Sequence, residues 1–200
     1  MSLREKLIGI FYKAARSSSR MRTLLTPVGL LFFFTLVVLF IVASLQVDKF
    51  LGFPKLLPAS VNIILSVPIL AIGLFLVLWS GLHFIKVKGT PVPFNPPPKI
   101  VTTGPYAYVR NPMLTGVFIL FFGLGILFRS ISLVFIFTPL FILLNVLELR
   151  AVEEPELEKR LGKEYLEYKK RVPMFIPRLK ARTKNERQPP SPLKEKGQRG

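Results

Sequence analysis

Between Leu24 and Val47 the chain carries no charged residue, and the same holds from Val61 to Ile85. Each run exceeds the ~20 apolar residues that a helix needs to cross a bilayer core. Two further apolar runs, Met113 to Phe128 and Ile131 to Leu147, are separated only by Arg129 and Ser130. Two helices joined so briefly must form a tight hairpin. The first of them measures about 24 Å, short of the ~30 Å hydrocarbon core. Gly116, Gly123 and Gly125 permit close helix contact. The prediction is an all-α integral membrane protein with four transmembrane helices, including this C-terminal hairpin, plus a cytoplasmic amphipathic helix.

Half of the residues are hydrophobic (50%), yet 28 Lys and Arg against 11 Asp and Glu give a net charge of +17. These values conflict in a soluble protein and agree in a membrane protein with basic aqueous segments, so no nucleic-acid partner is expected. Orientation follows from where the basic residues lie. The N-terminus, the Lys86–Arg110 loop and the C-terminal region hold most of them. The opposite loops hold Lys49, Lys55 and Arg129, so both termini are predicted to be cytoplasmic, in the cytoplasmic (inner) membrane.

Residues 1–23 are basic and amphipathic, with Leu3, Leu7, Ile10, Phe11 and Ala14 on one helical face and Arg4, Lys6 and Lys13 largely off it. A helix on an anionic leaflet is expected; no small-residue cleavage site favours a targeting segment instead. The membrane domain spans 24–150, with a Pro-rich cytoplasmic loop at 86–111. The run of prolines between Pro91 and Pro98 should be extended and stiff. Asp48 to Pro58 reads as a short opposite loop, and Pro68 as a kink in the second span. Residues 151–178 form a cytoplasmic capping segment. Pro155 is expected to break or restart the helix, and Glu156 to Arg171 reads as one amphipathic helix with Leu157, Leu161, Tyr165 and Tyr168 on a face. An apolar hook, Val172 to Pro177, follows. Residues 179–200 read as a disordered basic tail.

The chain has no cysteine and one histidine, His83, which excludes thiolate nucleophiles, Cys-ligated metals, a zinc site and a histidine triad within one chain, and no metal is expected. No G-x-G-x-x-G or Walker A pattern is present. Two charged constellations remain. In the first, Asn111 is placed as N-cap and Pro112 as first residue of a helix. The helix start and the Arg110 fork together suit a carboxylate or phosphate; a snorkelling arginine beside a capped helix is the plainer reading. The second is Glu148, Glu153 and Glu154 on the same face of the membrane. A surface ion pair between the two groups is the plainer reading there.

Gly104-Pro-Tyr-Ala-Tyr-Val-Arg-Asn-Pro-Met, the helical hairpin, Glu153-Glu154, Gly162-Lys-Glu-Tyr-Leu-Glu-Tyr and Val172-Pro-Met-Phe-Ile-Pro occur in this order. Together they resemble the isoprenylcysteine carboxyl methyltransferase and phospholipid methyltransferase superfamily. The resemblance implies S-adenosylmethionine as cofactor, bound by Tyr106, Tyr108, Arg110, Asn111, Pro112, Gly116, Glu153 and Glu154. It implies that Arg110, Glu153 and Glu154 serve catalysis. It further implies methyl transfer to a lipidic, prenylated or other hydrophobic small-molecule acceptor at the cytoplasmic membrane face. The family's histidine is Asn111 here and its tyrosine is Leu114. Two other readings are a non-catalytic membrane protein with the same fold and a sterol-reductase-like enzyme using NADPH.

Overall fold

The computed structural model describes residues 3–15, 19–86 and 100–177. The proline-rich stretch at 87–99 and the tail from residue 178 lie outside the described residues. Every regular element among the described residues is helical: α1 (Leu3–Ala15), α2 (Ser19–Leu51), α3 (Ala59–Lys86), α4 (Pro112–Leu127), α5 (Thr138–Glu148), α6 (Glu154–Leu161) and α7 (Lys163–Arg171). Three stretches are long and apolar enough to cross a membrane: Leu24–Leu51, Ala59–Ile85 and Leu133–Leu161. The fourth apolar run forms α4, whose 16 residues rise only about 24 Å.

α4 lies antiparallel on α3, because the Asn62 side chain near the start of α3 donates to the Leu127 carbonyl at the end of α4, at 2.8 Å. The two backbones touch where Gly73 meets Gly116. A Cβ on Gly73 would sit 2.9 Å from the Gly116 carbonyl oxygen, and one on Gly116 2.8 Å from that of Gly73. The turn after α4 is as tight as expected: Arg129 adopts φ 59°, and its Nε donates to the Leu57 carbonyl at 2.6 Å.

Asp48 is not a loop residue, because α2 continues to Leu51. Its carboxylate accepts from the Ser130 hydroxyl and, at 2.9 Å, from the Ser132 N–H. It thereby takes up donors at the start of the helix that follows the turn. Phe121 and Phe141 stack with ring centroids 4.4 Å apart. Phe33 and Phe40 of α2 and Phe118 of α4 meet Phe141 edge-on. This aromatic layer joins three helices at the bundle centre.

Beyond the turn the backbone stays helical from Ile131 to Leu161. Within this rod the turns Leu133–Phe137 and Leu149–Glu153 widen to π geometry. Each widened turn ends two residues before a proline, Pro139 and Pro155. In an α-helix the proline ring clashes with the carbonyl four residues back and has no N–H to offer. A wider turn moves that carbonyl aside. Pro155 therefore restarts the α-helix as α6 without ending the rod, and Pro68 lies inside α3.

The expected single helix from Glu156 to Arg171 is two, α6 and α7, bent at Gly162 with φ 58°. Around that bend Tyr165, Tyr168 and Val172 are buried against Ile100, Leu157 and Leu161. The apolar hook then returns to the bundle, where Phe175 lies 5.3 Å from the Phe118 ring. α1 packs along α6 and the second widened turn, with Lys159 Nζ 4.6 Å from the Tyr12 ring centroid.

Candidate active site

The two charged constellations meet. Pro112 opens α4 with Asn111 at the N-cap position, but the Asn111 side chain makes no capping hydrogen bond. Its carbonyl serves instead, accepting from the Thr115 N–H and, at 2.9 Å, the Thr115 hydroxyl. The preceding backbone is held by the hook: the Arg110 N–H donates to the Pro173 carbonyl at 2.8 Å and the Asn111 N–H to that of Met174 at 3.1 Å.

This anchoring aims Arg110 at α6 and α7. Its NH2 donates to Glu154 Oε1 at 2.5 Å, and its NH1 to the carbonyls of Lys169 at 3.0 Å and Val172 at 2.8 Å. Both side chains of the pair are nearly buried, at 10% and 7% exposure. Lys169 Nζ closes on the other oxygen of Glu154 at 2.6 Å and on Glu158 at 2.8 Å. These carboxylates accept hydrogen bonds from the ammonium and raise the Lys169 pKa. The bidentate fork expected for a ligand carboxylate is thus taken by Glu154 and two carbonyls. One buried donor of Arg110, Nε, has no hydrogen-bond partner among the described residues.

Glu153 is half-buried. Its charge adds to that of Glu154 in opposing the ionisation of Tyr165, and to burial and Tyr168 in opposing that of Tyr106. Both phenols have raised pKa values, first because they are buried, and so act as hydrogen-bond donors rather than bases. Among the described residues no hydrogen bond or ion pair engages Glu153. Tyr106 is 5% exposed and packs edge-on against Phe84, with centroids 5.2 Å apart. Its carbonyl accepts from the Tyr168 hydroxyl at 2.7 Å. The Tyr106 hydroxyl and the buried Ser80 hydroxyl are neighbours in loose contact, short of full hydrogen-bond geometry.

The remaining expected residues are dispersed. Tyr108 is exposed. Gly116 is committed to Gly73 and Val77 of α3. Pro112 is buried at the α4 start. Leu114 packs into the aromatic core. His83 donates from Nδ1 to the Trp79 carbonyl at 2.9 Å, since a carbonyl can only accept. Its ring fills the space beside Gly104, where a Cβ would lie 2.1 Å from Nε2. Ser80 and Lys169 were not singled out from the sequence: Ser80 is one small polar residue in an apolar run, and Lys169 one of three consecutive basic residues.

S-adenosylmethionine carries a cationic sulfur, an amino acid end and a nucleoside. The unengaged Glu153 carboxylate suits the cationic part. The Tyr106 and Ser80 hydroxyls and Arg110 Nε, none of which completes a hydrogen bond among the described residues, are buried polar atoms of the kind that a polar ligand satisfies. The residues present fit this group, with Arg110 offering one donor rather than two.

Residues 61–164 match the family model described as phospholipid methyltransferase, more than half of the chain. That stretch contains Ser80, Tyr106, Arg110, Glu153 and Glu154. The nickel-cobalt-cadmium resistance protein NccN of Alcaligenes xylosoxydans xylosoxydans is 34% identical over 102 residues, which is 51% of this chain and 43% of that protein. The chain therefore spans less than half the length of that relative. No solved structure matches the chain. Its apolar helices make it an integral membrane protein, and the match over more than half of its length gives its kinship: the chain belongs to the phospholipid methyltransferase family.

Proposed function

We propose that this chain transfers a methyl group from S-adenosylmethionine to a lipidic acceptor at the cytoplasmic face of the inner membrane, with both termini on that face. The observation that carries the reading is Glu153, which among the described residues joins no hydrogen bond or ion pair, within the family-matched stretch that also holds the buried Tyr106 hydroxyl. When bound, S-adenosylmethionine supplies an electrophilic methyl group on a positively charged sulfur. Glu153 would balance that positive charge, and Tyr106 and Arg110 Nε would donate hydrogen bonds to the polar ends. The Arg110–Glu154 pair would position these groups, because it ties the α4 start to α6. Held geometry of this kind is the main source of rate in a direct displacement.

The charges favour an amine over a carboxylate as acceptor. Arg110, Lys169 and Arg160 are each paired with a carboxylate, Glu154, Glu154 with Glu158, and Glu156 respectively. A prenylated carboxylate would compete with those partners. A phospholipid amine must lose a proton first, and Glu153 would accept it.

The test is methyl incorporation from labelled S-adenosylmethionine by the purified full chain, offered an amine phospholipid or a prenylated carboxylate. Glu153→Gln keeps the size of the side chain and removes its charge. We expect transfer to the amine, lowered roughly a hundredfold or more by Glu153→Gln with folding intact. Equal transfer by wild type and variant would remove Glu153 from the site. Absence of transfer to either acceptor would favour the non-catalytic reading.

A further inference from the structure

Glu153 and Glu154 are adjacent, yet Glu154 engages Arg110 and Lys169, while among the described residues Glu153 joins no hydrogen bond or ion pair. The split falls at the end of the widened turn Leu149–Glu153, where the Glu154 N–H reaches the Leu149 carbonyl, five residues back. Pro155 follows directly. Its ring is incompatible with an α-helical carbonyl at residue 151. We infer that Pro155 is a positioning residue: by holding this turn open, it sets the register that delivers Glu154 to Arg110 and Glu153 to the opposite side. The functional half of this inference rests on the methyl-transfer reading; the structural half does not.

Two fixed attachments make the register matter. Upstream, Phe141 is locked into the aromatic layer at the bundle centre. Downstream, Glu154 is locked to Arg110 and Lys169. A widened turn accommodates one extra residue between them. If the turn closed to α-helix, everything beyond it would rotate about 100° and shift 1.5 Å relative to the span. Either the ion pair or the aromatic layer would then be lost. Removing one residue from the turn together with the proline should restore the match, because an α-helix one residue shorter reaches the same position.

This yields a four-member cycle: wild type, Pro155→Ala, deletion of Ala151, and the two combined, all in the full chain. The protein has no cysteine, so labels enter cleanly at Leu144→Cys above the turn and Lys163→Cys below it, both exposed positions. Spin-label distances report register without any activity. A 100° rotation moves a side chain on a helix 10–12 Å across by about 8 Å, so each single change should shift the distance by several ångström and the combination should return it. Methyl transfer should fall roughly a hundredfold in each single variant, in kcat more than in cofactor KM, and recover in the combination. Thermal unfolding identifies any variant that fails to fold.

Unchanged distances in all four proteins would overturn the register role. A shifted distance with undiminished transfer in Pro155→Ala would overturn the positioning role. A wild type without methyl transfer would sink the proposed function, while the distances still decide the part played by Pro155.

Discussion

Glu154→Gln is the sharpest test of how this end of the molecule is held. Glu154 is 7% exposed at its side chain and Arg110 10%, so both charges are largely out of water and depend on each other. Removing one partner of a buried pair costs about 3–5 kcal/mol, because the other charge remains uncompensated. Gln keeps an oxygen for Arg110 NH2, which places the expected loss near the lower figure, about 3 kcal/mol. Lys169 also loses a partner, but its side chain is 34% exposed, and such pairs add at most about 1 kcal/mol. For a chain of this size the sum, about 3–4 kcal/mol, corresponds to a fall in Tm of roughly 6–16 °C. The assay is thermal unfolding in detergent, followed by circular dichroism and by the fluorescence of Trp79, the single tryptophan. Glu158→Gln is the control: it removes a charge from the same lysine at a side chain 36% exposed, and should shift Tm by no more than a few degrees. Equal effects from the two substitutions would refute the claim that burial makes the Arg110–Glu154 pair special.

Two further outcomes follow from the same structure. Lys169 holds its proton above its ordinary value of 10.5 because Glu154 and Glu158 accept from it, and burial holds the Tyr106 and Tyr165 protons above the ordinary 10.0. The unfolded chain therefore releases these protons first, so stability should fall as pH rises beyond about 10, and Lys169→Met with Tyr165→Phe should flatten that fall in pH-dependent unfolding. Gly116→Ala would push a methyl to 2.8 Å from the Gly73 carbonyl and 3.0 Å from the Val77 nitrogen, both backbone, whereas Gly123→Ala meets the movable Leu70 side chain. The first should cost about 1–3 kcal/mol and more than the second, as read by thermal unfolding.

The helices themselves were legible because uncharged runs of this length have few alternatives. The Arg129–Ser130 turn was legible because no room exists for anything longer. Asp48 was not, since a charge after an apolar run resembles the start of a loop. Its carboxylate is used across the bundle, at Ser130 and Ser132, and no local pattern announces such a partner. The bend at Gly162 did leave a signal. A glycine inside a helical pattern is a candidate C-cap, but the hydrophobic periodicity from Leu157 to Tyr168 runs straight through it, because both helices serve one buried cluster.

The site divides along the same line. Arg110, Glu153 and Glu154 stood out because charged residues at the end of an apolar segment require an explanation. Their type suggested which chemistry was available but not how it was shared. A guanidinium drawn into a nearly dry environment must be paired, and pairing depends on which carboxylate the helix presents. That presentation is a matter of register, counted residue by residue from the aromatic layer at Phe141 to the ion pair at Glu154. Regular α-helical counting would misplace the carboxylates by one position, because the turn before Pro155 is wider. The proline was visible in the sequence as a helix breaker; its consequence, an unbroken helix with one added residue, emerges only once both ends of the rod are fixed. Among the described residues, Glu153 is therefore left without an ion-pair partner by the same backbone feature that satisfies Glu154.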